Sequence, residues 1–223
     1  MSGLARIWAV CAKDATQELR RKVALVAVFF FAATAMALVS YAIGPFRLTP
    51  ADRPPLQAAL LWIILFFAAA TGLPRAFVSE EETGTGLAVR KTIPAAYVLA
   101  GKTLFNLLLF LAMAAIAIPG FLVLLEWKVE SAGALAVTIL AGGYGLAVVS
   151  TFLSALVARA GQRNVLFVLI AFPLLLPLLV TAIAATIESA SGTFPAAPLR
   201  VLVAYDGASS CAAYMLAAVA WED

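Results

Sequence analysis

Long apolar runs alternate with short polar breaks along this chain, and the runs are too uniformly apolar to be one-sided faces of soluble helices. Six of them stand out, at residues 23–43, 56–73, 103–125, 133–157, 165–187 and 201–221. A bilayer core offers no water to backbone amides, so an apolar run of about 20 residues satisfies its own hydrogen bonds as a spanning helix. The pattern therefore predicts an all-α integral membrane protein with six transmembrane helices. The second run is the shortest, at about 18 residues, and the sixth is the least apolar.

Ahead of the first run the period changes. Leu4, Ile7, Trp8, Cys11, Ala15 and Leu19 fall on one helical face, with Arg6, Lys13, Asp14, Arg20 and Arg21 mostly elsewhere. This spacing predicts an amphipathic helix over residues 1–22 lying in the membrane interface. It suits a surface anchor leading into the first span, or an elbow helix that helps hold a cytosolic partner. No cleavable signal peptide is expected, because the first apolar run begins late and is too long for a signal core.

Composition agrees with the pattern: 64% of the residues are hydrophobic and 12% charged, outside the range of soluble domains. Charge adds orientation. If the N-terminus is cytoplasmic, the inside loops hold Arg6, Lys13, Arg20, Arg21, Lys22, Arg75, Arg90, Lys91, Lys102, Arg159 and Arg163. The outside keeps Arg47, Arg53, Lys128 and Arg200. Bases concentrate on the cytoplasmic side of membrane proteins, which places both termini there. The formal charge of +3 is thus spent on orientation, and no basic face for nucleic acid forms.

Candidate chemistry is sparse. The chain contains no histidine, which removes the imidazole ligand for haem, the zinc-protease helix and the Ser-His or Cys-His dyad. Cys11 and Cys211 lie too far apart in the predicted topology for a disulfide and fit no metal spacing. Gly101-Lys102-Thr103 has the ending of a phosphate-binding loop. However, Ala96 stands where the first glycine is needed, and Tyr97, Val98, Leu99 and Ala100 fill the region that must wrap a phosphate. Lys102 reads instead as a side chain reaching for the headgroups at the start of the third span.

Within the spans, Asp206 is the one carboxylate clearly inside, and Asn106, Thr138, Ser150, Thr151, Ser154 and Thr181 are the other polar groups. Asp206 and Asn106 form a candidate intramembrane polar site, Asp206 serving packing or a gate in a substrate path. Gly142, Gly143, Gly145 and Ala147 make the fourth span a close-packing helix, and Pro119, Pro173 and Pro177 predict kinks in the third and fifth.

The break at residues 74–102 is the most charged stretch. Arg75, Phe77, Glu80, Glu81 and Glu82 run at helical spacing until Gly84-Thr85-Gly86; a second short segment, residues 87–92, ends at Ile93-Pro94. A solvated charged hairpin is one reading. The apolar Phe77, Leu87 and Val89 favour the other, a short helix-turn-helix that docks a cytosolic partner.

Arg75, Phe77, Glu80, Glu82, Gly84-Thr85, Pro94 and Gly101-Lys102 together resemble the cytoplasmic coupling loop of exporter-type ABC permeases. Within that group, the length, the six-span layout, the proline-rich fifth span (Phe172 to Pro177) and the terminal Glu222-Asp223 are similar to the CcmB family of haem exporter permeases. Ser79 departs from the pattern, standing where such loops often carry a basic residue.

The resemblance implies one non-catalytic permease domain over residues 1–223 in the bacterial inner membrane, its motor-docking residues being Arg75, Phe77, Glu80, Glu82, Gly84 and Thr85. It implies that ATP is hydrolysed by a separate subunit resembling CcmA. It further implies a second permease copy, and CcmC, CcmD and the haem chaperone CcmE as partners that ligate haem, with no cofactor bound directly by this chain. ATP would then serve to release the loaded chaperone. The alternatives are a permease exporting a lipid, drug or polysaccharide, which would share the loop, and a membrane scaffold that transports nothing.

Overall fold

The computed structural model describes residues 2–20, 22–43, 53–72, 93–157 and 163–222. Those residues form seven helices: α1 (Gly3–Arg20), α2 (Lys22–Ile43), α3 (Arg53–Gly72), α4 (Ala95–Leu124), α5 (Ala132–Val157), α6 (Arg163–Ala190) and α7 (Ala196–Glu222). Each predicted span has its helix, and α1 matches the predicted amphipathic segment. On the described residues, Ala95–Leu124, Ala132–Leu156 and Leu169–Ala190 are long and apolar enough to cross a membrane, with shorter apolar helices at Phe30–Tyr41 and Arg53–Phe67. The chain is a multi-pass helical membrane protein.

The bundle is built around α5, which packs against α4, α6 and α7. Of its apolar stretch 61% is buried, against 22% in α4 and 33% in α6, so α5 is the helix surrounded by protein and its neighbours face lipid. The small residues picked out in its sequence make this possible. A side chain at Gly142 would strike the ring of Trp62, and one at Gly143 the ring of Phe110. Without a hydrophobic gain from leaving lipid, helices associate through such close contact, which small residues permit. Trp62 stacks on Phe110 at 6.3 Å between centroids, and its indole N–H donates to Thr186 Oγ1 at 2.9 Å.

Two prolines sit inside α6, Pro173 and Pro177. Proline removes one backbone donor from a helix and pushes the preceding turn outward. The Tyr205 hydroxyl of α7 donates to the Leu174 carbonyl between them, and Thr181 Oγ1 donates to the Pro177 carbonyl at 2.8 Å. The carbonyls that lose their helical donors are those of Leu169 and Pro173, four residues before each proline, and these two bonds brace the same stretch at adjacent carbonyls.

The third span differs from its sequence-based bounds. α4 starts at Ala95, directly after Pro94, which serves as its N-cap residue with φ −57° and ψ 143°. Proline suits the start of a helix, where N–H groups have no intrahelical partner in any case. At 30 residues α4 is about 45 Å long, more than the roughly 30 Å hydrocarbon core requires. Its first two turns, expected as the end of the polar break, are therefore helix, and they carry Gly101 and Lys102.

Candidate functional site

The loop residues assigned to motor docking, Arg75, Phe77, Glu80, Glu82, Gly84 and Thr85, lie outside the described residues. The structure does define the junction into which that stretch leads. There α1 lies along the first turns of α4. Gly101 is the point of closest approach: a Cβ there would stand 2.7 Å from Val10 Cβ and 2.8 Å from the Ile7 carbonyl oxygen. Arg6 covers the ring of Tyr97, its guanidinium carbon 5.7 Å from the centroid, adding a cation–π contact.

Lys102 contradicts the expectation that it reaches for headgroups. It is fully buried, and its Nζ donates to Asp14 Oδ2 of α1 at 3.1 Å. The other carboxylate oxygen, Oδ1, lies 3.1 Å from Lys13 Nζ, an ion-pair contact without hydrogen-bond alignment. Because α4 begins at Ala95, Lys102 is seven residues into a helix and faces α1 rather than the bilayer surface. A desolvated ammonium persists only with a partner in place, so Asp14 and Lys102 fix α1 on α4 in one register. Gly101 to Thr103 are helix as well, which excludes a phosphate-wrapping loop at that position.

The apolar face of α1 divides in two. Val10, Cys11 and Asp14 are buried, while Leu4, Trp8 and Leu19 remain 80%, 64% and 66% exposed. At 100° per residue the exposed three form a stripe, and Arg6, Lys13 and Gln17 lie on the opposite side. Burial raises the Cys11 thiol above its ordinary pKa, and the neighbouring Asp14 carboxylate adds to the rise.

Asn106 and Asp206 are both buried, each against α5, at different levels. Asn106 Nδ2 donates to Thr151 Oγ1 at 2.8 Å, and Thr151 in turn donates to the Ala147 carbonyl at 2.6 Å. Asp206, 7% exposed, reaches α5 at Gly145, where a side chain would collide with its Oδ1. Six residues separate Thr151 from Gly145, about 9 Å of helix rise. Asn106 Oδ1 and Asp206 Oδ1 have no hydrogen-bond partner within the described protein. Sequence reading overlooked Thr186 and Ser189 of α6, of which Ser189 lies 3.4 Å from Thr138. Their spacing of three residues, on a face whose other members are small and apolar, was the available signal.

Among the described residues no group of three or more Cys, Asp or Glu side chains is placed to hold a metal ion. The arrangement holds helices in register and carries a few desolvated polar groups between them.

Comparison with known proteins gives this arrangement its relatives. The sequence profile of the family described as "CcmB protein" matches residues 5–222. A protein of Bradyrhizobium diazoefficiens named "Heme exporter protein B" is 30% identical over 164 residues, which span 73% of this chain and 72% of the relative. The match takes in α1, the α1–α4 junction and the helices packed around α5, and on it the chain belongs to the CcmB family.

Proposed function

We propose that this chain is the permease subunit of a haem-exporting ABC transporter serving cytochrome c maturation. It spans the bacterial inner membrane six times with both termini cytoplasmic. The observation that carries the proposal is the family match along residues 5–222, together with the name of the Bradyrhizobium relative. A partner subunit resembling CcmA hydrolyses ATP and docks on the loop around Arg75, Phe77, Glu80, Glu82, Gly84 and Thr85. A second permease copy, CcmC, CcmD and the chaperone CcmE complete the assembly, and those partners hold the haem.

The physical support for coupling lies beside the loop. Residues 73–92 run into Pro94 and then α4, and α4 is fastened to α1 by Gly101 and the Asp14–Lys102 pair. Displacement of the loop by a closing motor therefore moves α1 and α4 as one body against α5, the kind of helix shift through which packed interfaces switch. ATP in this account drives release of haem-loaded chaperone.

A strain lacking its own copy of this gene, complemented with wild type or with the Glu80→Ala, Glu82→Ala double variant, tests the reading. Wild type restores covalent haem in c-type cytochromes, and the variant leaves haem-loaded chaperone accumulated. Normal turnover of the chaperone in the double variant contradicts the docking assignment, and failure of wild type to restore cytochromes contradicts the haem reading.

A further inference from the structure

Two prolines four residues apart divide α6 into halves that are held very differently. Each proline removes one ladder hydrogen bond, so the Leu169 and Pro173 carbonyls both lose their helical donors in successive turns. Bends in helices concentrate at such positions. Beyond them, from Leu178 to Ala190, only Val180 and Ala184 are exposed. Thr186 Oγ1 accepts the Trp62 indole N–H of α3 at 2.9 Å. In the turn between α4 and α5, where Trp127 packs on Phe121, the Glu130 and Ser131 N–H groups donate to the Ala190 and Ser189 carbonyls, each at 3.2 Å. That half of α6 is fastened to the rest of the bundle by packing and by hydrogen bonds together.

From Leu169 to Pro177 the balance reverses. Only Ala171 and Leu175 are buried there, and Leu169, Phe172 and Leu176 are 70%, 52% and 45% exposed. The Phe172 ring meets Phe66 of α3 edge-on, with 6.5 Å between centroids. Among the described residues this stretch makes one hydrogen bond to another helix, accepted by the Leu174 carbonyl from the Tyr205 hydroxyl of α7. The donor stands on a firm base. The hydroxyls of Tyr144 and Ser210 lie 3.0 Å apart across the α5–α7 contact, and Asp206, next to Tyr205, abuts Gly145 of α5.

We propose that α6 is a hinged helix: residues 163–174 swing about the turn from Pro173 to Pro177, and the Tyr205 hydroxyl on the Leu174 carbonyl is the latch that holds them closed on α7. Position supports a latch over a passive brace. The bond sits between the two prolines, where bending concentrates, rather than in the half that packing already secures. Lipid offers no competing donor, so the carbonyl keeps this bond until the helices part. Releasing it separates the N-terminal half of α6 from α7 and leaves the α5–α7 contact intact. The device belongs to α6 and α7 themselves and stands whatever the assembly exports.

The test uses the full chain in lipid nanodiscs, with Cys11→Ala and Cys211→Ser removing the native thiols and spin labels placed on pairs of exposed positions. Double electron–electron resonance between Leu169→Cys and Val123→Cys reports the swinging half against the C-terminal end of α4. Val180→Cys with Val123→Cys reports the fastened half. With Tyr205 in place each pair gives one dominant distance. In Tyr205→Phe, which keeps the ring and loses the hydroxyl, a second distance for the 169–123 pair is expected to gain roughly three- to tenfold in population, the worth of one interhelical hydrogen bond in a membrane. The 180–123 pair stays single. Adding Pro173→Ala and Pro177→Ala restores the ladder and removes the second distance. An unchanged 169–123 distribution in Tyr205→Phe overturns the proposal. So does equal broadening of both pairs, or a second distance that survives the proline replacements.

Discussion

At the residue scale the most consequential side chains are Asp14 and Lys102, a carboxylate and an ammonium buried against each other between α1 and α4. Removing either one leaves the other buried without its closest counter-charge, which is destabilising, whereas replacing both by apolar groups is close to neutral. Asp14→Leu or Lys102→Met alone is expected to lower the melting temperature of the detergent-solubilised protein sharply, and the double variant to recover most of the loss. Additive losses in the double variant would show that the pair is not coupled. Cys11 reports on the same junction. Its buried thiol is raised in pKa, so at pH 8 it holds little thiolate and reacts slowly with maleimide. In a Cys211→Ser background, unfolding is expected to speed labelling at least about tenfold, and Lys102→Met to speed it in part by loosening α1. The sequence displayed these residues without their pairing, because Lys102 sat at an apparent span boundary and Asp14 at the edge of an amphipathic face. Asp14, three residues after Cys11, in fact shares its buried side.

At the element scale, periodicity and run length located each helix among the described residues, and the glycines of residues 142–145 marked α5 as the contact helix. The start of α4 was misplaced by eight residues because Ala95 to Ala100 follow a proline and adjoin a charged stretch. In the structure Pro94 is a helix cap, and the helix from Ala95 continues unbroken into the span. The exposed stripe of α1, Leu4, Trp8 and Leu19, was legible as apolar but not as separate from the protein-facing side, which depends on where α4 lies. Two predictions belong here. Gly143→Val drives a branched side chain into the Phe110 ring, overpacking that typically costs about 1–3 kcal/mol, and is expected to reduce the yield of folded protein in size-exclusion chromatography. Gly101→Val pushes α1 off α4 and is expected to expose Cys11 to maleimide while the α5 contacts stay intact, giving fast labelling of a protein that still elutes as a single species.

At the scale of the whole molecule, α1 and the N-terminal turns of α4 form one end of the bundle, and the Trp127 turn forms the other. The sequence was explicit about membrane insertion, which rests on composition, while its reading of the loop at residues 74–92 lies outside the described residues. It was silent on how α1 joins α4, a contact between residues 88 positions apart that local pattern does not encode. The central claim is that this end receives a cytosolic motor. Affinity purification of the tagged chain from its native membrane in mild detergent, followed by mass spectrometry and an ATPase assay, tests that claim most directly. The account predicts a co-purifying ATPase, reduced or lost with Glu80→Ala and Glu82→Ala, accompanied by haem-handling subunits. Recovery of the folded chain with no ATPase attached would contradict it.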